Sequence, residues 1–401
     1  MGAPSIDISF IEKAVSAVTR GERGTVMLWV KDMLPVPADN PITVVTESDI
    51  PGSLAKDTVE QIKLAMKGYV NAPKKVLVYC MGITETTGTG DAEDTDGTEY
   101  GETVTSTSVD TGYREAMAAA ETIRFDYLAV PTVETDGKGE DVAAWVKSMR
   151  TKKKKIKAVL PNVAADNEGI INFTTDTIIR TETATDRDGR KTVSDVHYTT
   201  EQYCARIAGL IAGTPMTISC TYAPLPELSD CTRLTDNDTP VDKGELIIFY
   251  DGEKVKVVRG VNSLVTTMDG KGDSFKKIKI VEAMDMINDD IVRTAQDSYL
   301  GKYANTYSNK CLLITAISSY FTQLKRDDII SSYSVGLDAE AVRLYLKGKG
   351  MQAVLDDETV KDVDDCSDEE IVTADTGASV FLTGRVKILD AIEDIKMPIY
   401  I

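Results

Sequence analysis

The sequence carries one histidine, His197, within Val196-His-Tyr-Thr199. Imidazole is the side chain that titrates near neutrality without perturbation, so hydrolysis of the Ser-His-Asp kind would have to run through it. No Gly-x-Ser-x-Gly elbow accompanies it, and the ordinary reading is a histidine at a strand end or on the surface. An α/β hydrolase-like enzyme using His197 is therefore kept only as the alternative reading of the chain.

Two acidic runs invite comparison with calcium loops. Asp94-Thr-Asp96-Gly97 matches the third, fifth and sixth positions of an EF-hand loop, but Ala92 and Thr103 stand where the first ligand and the bidentate Glu belong. Asp186-Arg-Asp188-Gly189 fails in the same way at Ala184. Both read as solvated turns. Asp269-Gly-Lys-Gly272 has neither the upstream Gly nor the following Ser or Thr of a P-loop, and Lys347-Gly-Lys-Gly350 falls short likewise. The run Lys152 to Lys155, joined by Lys157, is the one concentration of positive charge. Lying between a predicted helix and a predicted strand, it suits a helix C-terminus, where cations are favoured. The sharper reading is a contact with an acidic partner surface. No aromatic residues are interleaved, which argues against single-stranded nucleic acid.

The chemical inventory is thus nearly empty for 401 residues with a net charge of -19. Such acidity argues against phosphate-backbone binding, and no nucleic-acid partner is expected. It also makes isolated subunits repel, so a polymer would need specific contacts. No cofactor or metal is expected, and the balance shifts toward an architectural role. No run of eighteen apolar residues occurs, so no membrane insertion is expected. The N-terminus lacks a secretory pattern, which also disfavours a surface-array protein. The six cysteines are scattered without a CxxC pair and read as reduced thiols.

The expected fold is an α/β core, a mixed and mainly parallel sheet with helices, followed by an α+β C-terminal domain, with strand-like N- and C-terminal arms. Residues 5–10 alternate polar and apolar, whereas Thr25-Val-Met-Leu-Trp-Val30 is continuously apolar, as a strand buried on both faces requires. Between them Arg20-Gly-Glu-Arg-Gly24 reads as a flexible turn. From residue 35 to residue 222 strands and helices alternate: helices over 58–69, 113–123, 141–149 and 200–212, strands over 75–81, 127–130 and 156–160. That rhythm predicts a parallel sheet. The segment 85–112 is rich in Thr, Gly, Asp and Glu and reads as a surface insertion. A hairpin is predicted around Asp188-Gly189, and a stronger one around Asp251-Gly252, since Asp-Gly suits turns needing positive φ at both centres.

Helices are predicted over 275–299, 309–326 and 338–347, the last capped by Asp338. The acidic stretch 354–371 reads as a surface loop or edge, and residues 379–382 and 386–401 as strand-rich. The resulting division is an arm with the first buried strand over 1–34, an α/β domain over 35–250, an assembly domain over 251–383, and an arm strand over 384–401.

Several stretches together resemble the contractile phage tail sheath proteins of the Gram-positive prophage and phage-derived bacteriocin lineage. They are Gly2-Ala-Pro-Ser-Ile-Asp-Ile-Ser-Phe10 with Arg20 to Gly24, Val261-Asn-Ser-Leu-Val-Thr-Thr267, the run from Lys277 to Ile291 continuing through Asp297-Ser-Tyr-Leu-Gly301, then Phe381-Leu382, Asp390-Ala-Ile-Glu-Asp394, and Pro398-Ile-Tyr-Ile401. The resemblance spans most of the chain and leaves the insertion unmatched. It implies a structural subunit, not an enzyme, made in the host cytoplasm and assembled in a virion tail or phage-tail-like particle. It would form a helical homopolymer of stacked hexameric rings around an inner tail tube protein, contact baseplate and tail terminator proteins, and contract to drive the tube through a cell envelope. The arms would add strands to neighbours through Ile6, Ile8 and Phe10 at one end and Ile399, Tyr400 and Ile401 at the other. Rigid-body contraction needs hinges, for which Gly21, Gly24 and Gly384 are the candidates.

Overall fold

The computed structural model describes residues 17–21, 23–34, 39–83, 108–185 and 191–400. The expected strand over 5–10, with Ile6, Ile8 and Phe10, lies outside the described residues, as do Ile401, insertion residues 85–107 and the turn at Asp188-Gly189. The described chain forms two units. One comprises 17–21 with Ala283–Leu389, the other 23–282 with 390–400.

The larger, α/β unit is built on a seven-stranded sheet. Its elements are β1 (Thr25–Val30), β2 (Ile42–Val44), α1 (Lys56–Met66), β3 (Lys75–Cys80), α2 (Val109–Ala120), β4 (Tyr127–Ala129), α3 (Gly139–Thr151), β5 (Lys157–Pro161) and β6 (Ile170–Phe173). There follow β7 (Ile178–Thr185), β8 (Lys191–Tyr198), α4 (Thr200–Ala212), β9 (Asp230–Cys231), α5 (Asp238–Asp242), β10 (Glu245–Leu246), β11 (Ile248–Tyr250) and β12 (Val255–Val257). The strand order is β10-β6-β5-β4-β1-β3-β2, parallel throughout except for β2 against β3.

The continuous apolar run of β1 is explained by its central place. Val26, Leu28 and Val30 face the layer of α1 and α4, while Met27 and Trp29 face that of α2 and α3. Each such side chain contributes ~1.5–3 kcal/mol by leaving water. Helix α4 opens on a capping box, in which Thr199 accepts from Gln202 N and Gln202 reaches back to Thr199 N. Where α4 meets α1 the sequence supplies Gly209, since a Cβ there would lie 2.0 Å from the Ala65 carbonyl oxygen.

Several expectations are corrected in detail. Helix α2 begins at Val109, taking the last residues assigned to the insertion. Ser108 caps it, and Gly112 is buried against Ile83 and Met81. The strand expected over 245–250 is divided, with β10 joining the large sheet and β11 pairing with β12. Their connection is a four-residue loop in which Asp251 Oδ1 accepts from the amides of Glu253 and Lys254, and Gly252 alone takes positive φ, at 106°. Lys157, grouped with the basic run, is a buried strand residue. Lys152 does stand at the C-cap of α3.

The second unit contains α7 (Tyr307–Arg326), β13 (Ile330–Leu337), α8 (Ala339–Lys349), β14 (Ala353–Val354), β15 (Val360–Lys361), α9 (Asp368–Ile371) and β16 (Leu382–Ile388). Helix α6 (Ile278–Thr294) starts in the α/β unit, and from Ala283 its residues belong to this one. It is preceded by a 3-10 turn, Asp273–Lys276, and closed by a π turn, Ala295–Tyr299, so the single helix expected over 275–299 has irregular ends. Asp338 caps α8 by accepting from Ala341 N at 2.9 Å. The acidic stretch after α8 is more than a loop. Leu355, Val363, Cys366 and Ile371 alternate with its carboxylates and bury themselves against Val342 and Leu346.

Candidate assembly surfaces

In the smaller unit β13 and β16 form an antiparallel pair with Tyr333 opposite Val386, Val335 opposite Gly384 and Leu337 opposite Leu382. Helix α7 lines this ribbon. Phe321 packs against Tyr333 with ring centroids 5.4 Å apart and planes tilted by 43°, and Thr322 Oγ1 meets the Tyr333 hydroxyl at 2.7 Å. Among the described residues the sheet has only these two strands, so each offers one edge of unpaired backbone groups. A two-stranded ribbon with free edges is marginal alone and is a template for another strand. Gly384 sits inside this ladder, where a Cβ would come within 3.2 Å of Val335 Cγ2.

After β16 the chain leaves the ladder. Residues 389–400 take no regular structure, in place of the strand expected there. The reason is local: the side chains of Asp390, Glu393 and Asp394 are drawn to Lys277 and Arg259 of the α/β unit, and Pro398 has no amide to donate. Beyond them Ile399 is 74% and Tyr400 91% exposed, so neither joins the core of its own chain.

The other two glycines lie in the segment before β1. Gly21 donates to Asp290 Oδ1 at 2.8 Å, within the smaller unit. Gly24, in the α/β unit, has φ +93°, a left-handed value that favours glycine, and its amide donates to Asp126 Oδ2 at 2.8 Å.

The signature Val261 to Thr267 has a structural explanation. Asn262, 1% exposed, donates from Nδ2 to the Phe275 carbonyl at 2.7 Å and accepts at Oδ1 from Leu264 N at 3.0 Å. Ser263 N donates to Ile170 O at 2.8 Å, and its hydroxyl to Asn167 O at 3.0 Å. Asp166 accepts from the amides of Val265 and Thr266, and the Thr266 hydroxyl together with these two amides holds its carboxyl down to about 2. The loop therefore staples the first residue of β6 to the 3-10 turn before α6.

A buried ionic cluster escaped the sequence reading. Glu282, in the second turn of α6, accepts from Lys157 at 2.6 Å, from Arg23 at 3.3 Å and from the Tyr127 hydroxyl. Burial by itself raises the Glu282 carboxyl, but the Lys157 and Arg23 charges and the hydrogen bonds from Lys157 and Tyr127 outweigh it and hold it below the usual range. A lysine in a basic run gives no periodic signal of inward orientation.

His197 lies exposed on β8 opposite Ile179, and no hydrogen bond links it to a nucleophile among the described residues. All six cysteines are free thiols. Burial pushes Cys80 and Cys220 up to about 12 and Cys231 up to about 11, so these thiols are unreactive. Among the described residues no cluster of metal-ligating side chains is present, and no helix is long and apolar enough to cross a membrane.

The described chain thus presents an α/β unit on a mainly parallel sheet and a smaller α+β unit that carries the β13–β16 ribbon. The comparisons agree. The model of the phage tail sheath protein central domain matches residues 107–263, and that of the phage tail sheath C-terminal domain matches residues 270–355. The tail sheath protein of Clostridium phage phiCD119 is 33% identical over 400 residues, covering 99% of this chain and 98% of that protein. The phage-like element PBSX protein XkdK of Bacillus subtilis is 34% identical over 191 residues, 46% of this chain and 38% of that protein. In fold, the chain is similar to the sheath tail protein of Desulfitobacterium hafniense, with TM-score 0.63 and 18% identity over 96% of this chain and 100% of that one. It is also similar to the helical sheath of the anti-feeding prophage in its contracted state, with TM-score 0.61 and 13% identity over 100% and 98% of the two chains. The chain belongs to the phage tail sheath protein family.

Proposed function

We propose that the chain polymerises as stacked six-membered rings around an inner tail tube protein and contracts to drive that tube through a target cell envelope. The observation that carries this reading is a complementarity within one chain. The β13–β16 ribbon offers unpaired edges, and the chain ends in the exposed apolar residues Ile395, Met397, Ile399 and Tyr400. A strand from a neighbour adding to the ribbon would complete both. About five backbone hydrogen bonds at ~0.5–1.5 kcal/mol each give a few kcal/mol per link, weak singly and strong over many copies. The anti-feeding prophage structures to which this fold is similar are a contracted helical sheath and a six-fold symmetrised baseplate, which supports helical assembly and six-membered rings here. The N-terminal arm would act through Ile6, Ile8 and Phe10, and the C-terminal arm through Ile399, Tyr400 and Ile401. Hinging would fall at Gly21, Gly24 and Gly384 while the subunits move as nearly rigid bodies. The baseplate and a tail terminator would be the end partners, the baseplate lowering the barrier that keeps the extended state in place.

Negative-stain microscopy of the purified protein, alone and with its tube protein, tests the reading. The expected result is hollow cylinders, contracted when no tube is present. Monomers alone at high concentration across ordinary salt and pH would overturn it.

A further inference from the structure

The acidic segment after the last strand is seated in a built notch on the α/β unit. Glu393 is the central group. Its side chain is only 6% exposed, although it belongs to a stretch without regular structure. Its Oε1 accepts from the Thr221 hydroxyl at 2.6 Å and lies 3.1 Å from the Ser219 hydroxyl. Its Oε2 lies 3.2 Å from Lys277 Nζ and 3.9 Å from Arg259 Nε. On either side, Asp390 pairs with Lys277, and Asp394 accepts from Arg259 NH2 at 2.7 Å.

The receiving groups are held by other parts of the unit. Gly260 N donates to Thr221 Oγ1 at 2.9 Å, and a Cβ at Gly260 would stand 2.7 Å from Cys220 Sγ, so this backbone approach needs glycine. Val261 bridges to Lys277, and Asn262 N donates to Lys276 O at 2.9 Å, so the signature loop also fixes Lys277. A carboxylate is not buried from water at a chain end unless its charge and lone pairs are met. Here two cations and two hydroxyls meet them.

We propose that the notch of Ser219, Thr221, Arg259 and Lys277 is the docking site for Asp390 to Asp394 of its own chain, and that it anchors the base of the C-terminal arm and sets the arm's free length. This rests on the reading of residues 397–401 as an arm that reaches a neighbouring copy. With the segment seated, the seven residues after Asp394 span at most about 25 Å. Released, the twelve residues after Leu389 span at most about 43 Å. The clasp thus holds five residues of chain in reserve, which a mesh whose subunits shift can draw on. Burial lowers Lys277, but Asp390 and Glu393 more than restore it, so the cation stays charged through neutral pH.

Limited digestion with endoproteinase Lys-C tests this on the unpolymerised fraction of the full chain. The readout is the rate of cleavage after Lys396, followed by mass spectrometry as loss of residues 397–401. A protease must draw the flanking residues, Glu393 included, into extended form, so the clasp should slow the cut. Glu393→Gln and Lys277→Gln should each speed it about tenfold or more at low salt, since each removes a charged hydrogen-bond partner. Lys277→Arg should keep it slow. Asp394→Asn should change it little, because that carboxylate is largely exposed. Circular dichroism confirms that each variant is folded. Wild-type cleavage rates in both Gln variants would overturn the clasp, whatever the protein assembles into. Cylinders that persist after removal of 397–401 would overturn the arm reading while leaving the protease result standing.

Discussion

Lys157 Nζ lies 2.6 Å from Glu282 Oε1, with side chains only 1% and 11% exposed. The pair joins the first residue of β5 to the start of α6, and Arg23 and Tyr127 complete it. In a low-dielectric interior such a pair contributes little net stability when whole and costs much when halved.

Lys157→Met should therefore destabilise the subunit by ~3–5 kcal/mol, because it leaves the Glu282 charge buried with Arg23 as its remaining cation. Adding Glu282→Leu should recover much of that loss. Urea unfolding of unpolymerised protein measures both. Equal stability of wild type and Lys157→Met would show that the pair is dispensable.

The same carboxylate predicts an acid response. Its folded pKa lies below the usual range, so its stabilisation is fully present above the unfolded value of about 4.3 and is lost as pH falls through the folded value. The stability gap between wild type and Glu282→Gln should be constant above about pH 5 and shrink on acidification. Unfolding midpoints from pH 3 to 7 read this directly. A gap that widens toward low pH would reverse the assignment.

Packing between α1 and α4 gives a third expectation. A Cβ at Gly209 would sit 2.0 Å from Ala65 O and 2.8 Å from Ala65 C, which are backbone atoms that cannot turn aside. Gly209→Ala should cost ~1–3 kcal/mol or more by forcing the helices apart. Gly348→Ala, in α8 with nothing within 4 Å of its Cβ, should instead stabilise by ~0.5–1 kcal/mol. Thermal unfolding of the two variants should move in opposite directions.

What could be read from the sequence follows from what periodicity reports. The apolar run of β1 and the Thr199–Gln202 box of α4 are local and strong, and both elements stand where expected. The parallel sheet follows from alternation of such runs with helices. Lys157 could not be found, because its role depends on a glutamate 125 residues away and a charge in a strand looks the same whether it faces inward or outward. The stretch after α8 misled because its carboxylates outnumber the few apolar residues that it buries. The last twelve residues misled in the opposite sense. Their alternation is real, but Glu393 spends its hydrogen bonds on Thr221 and Lys277, and the segment does not extend the ladder of β16.

Deleting 397–401 should leave a folded subunit that no longer builds cylinders. Met397, Ile399 and Tyr400 are 73%, 74% and 91% exposed, so their removal takes nothing from the core of their own chain. On the proposed reading it removes a segment whose described apolar side chains stand outside the core and whose backbone would pair with a neighbour's ribbon edge. Ile399→Pro should act similarly, because proline cannot donate to a ladder. Deleting 2–10, or Ile8→Pro, should have the same effect at the other end, where Ile6, Ile8 and Phe10 share the alternation. Circular dichroism reports folding, and sedimentation reports assembly. Truncated protein that still sediments as cylinders would remove the exchanged strand from the mechanism, and protein that unfolds outright would place these residues in the core of the subunit.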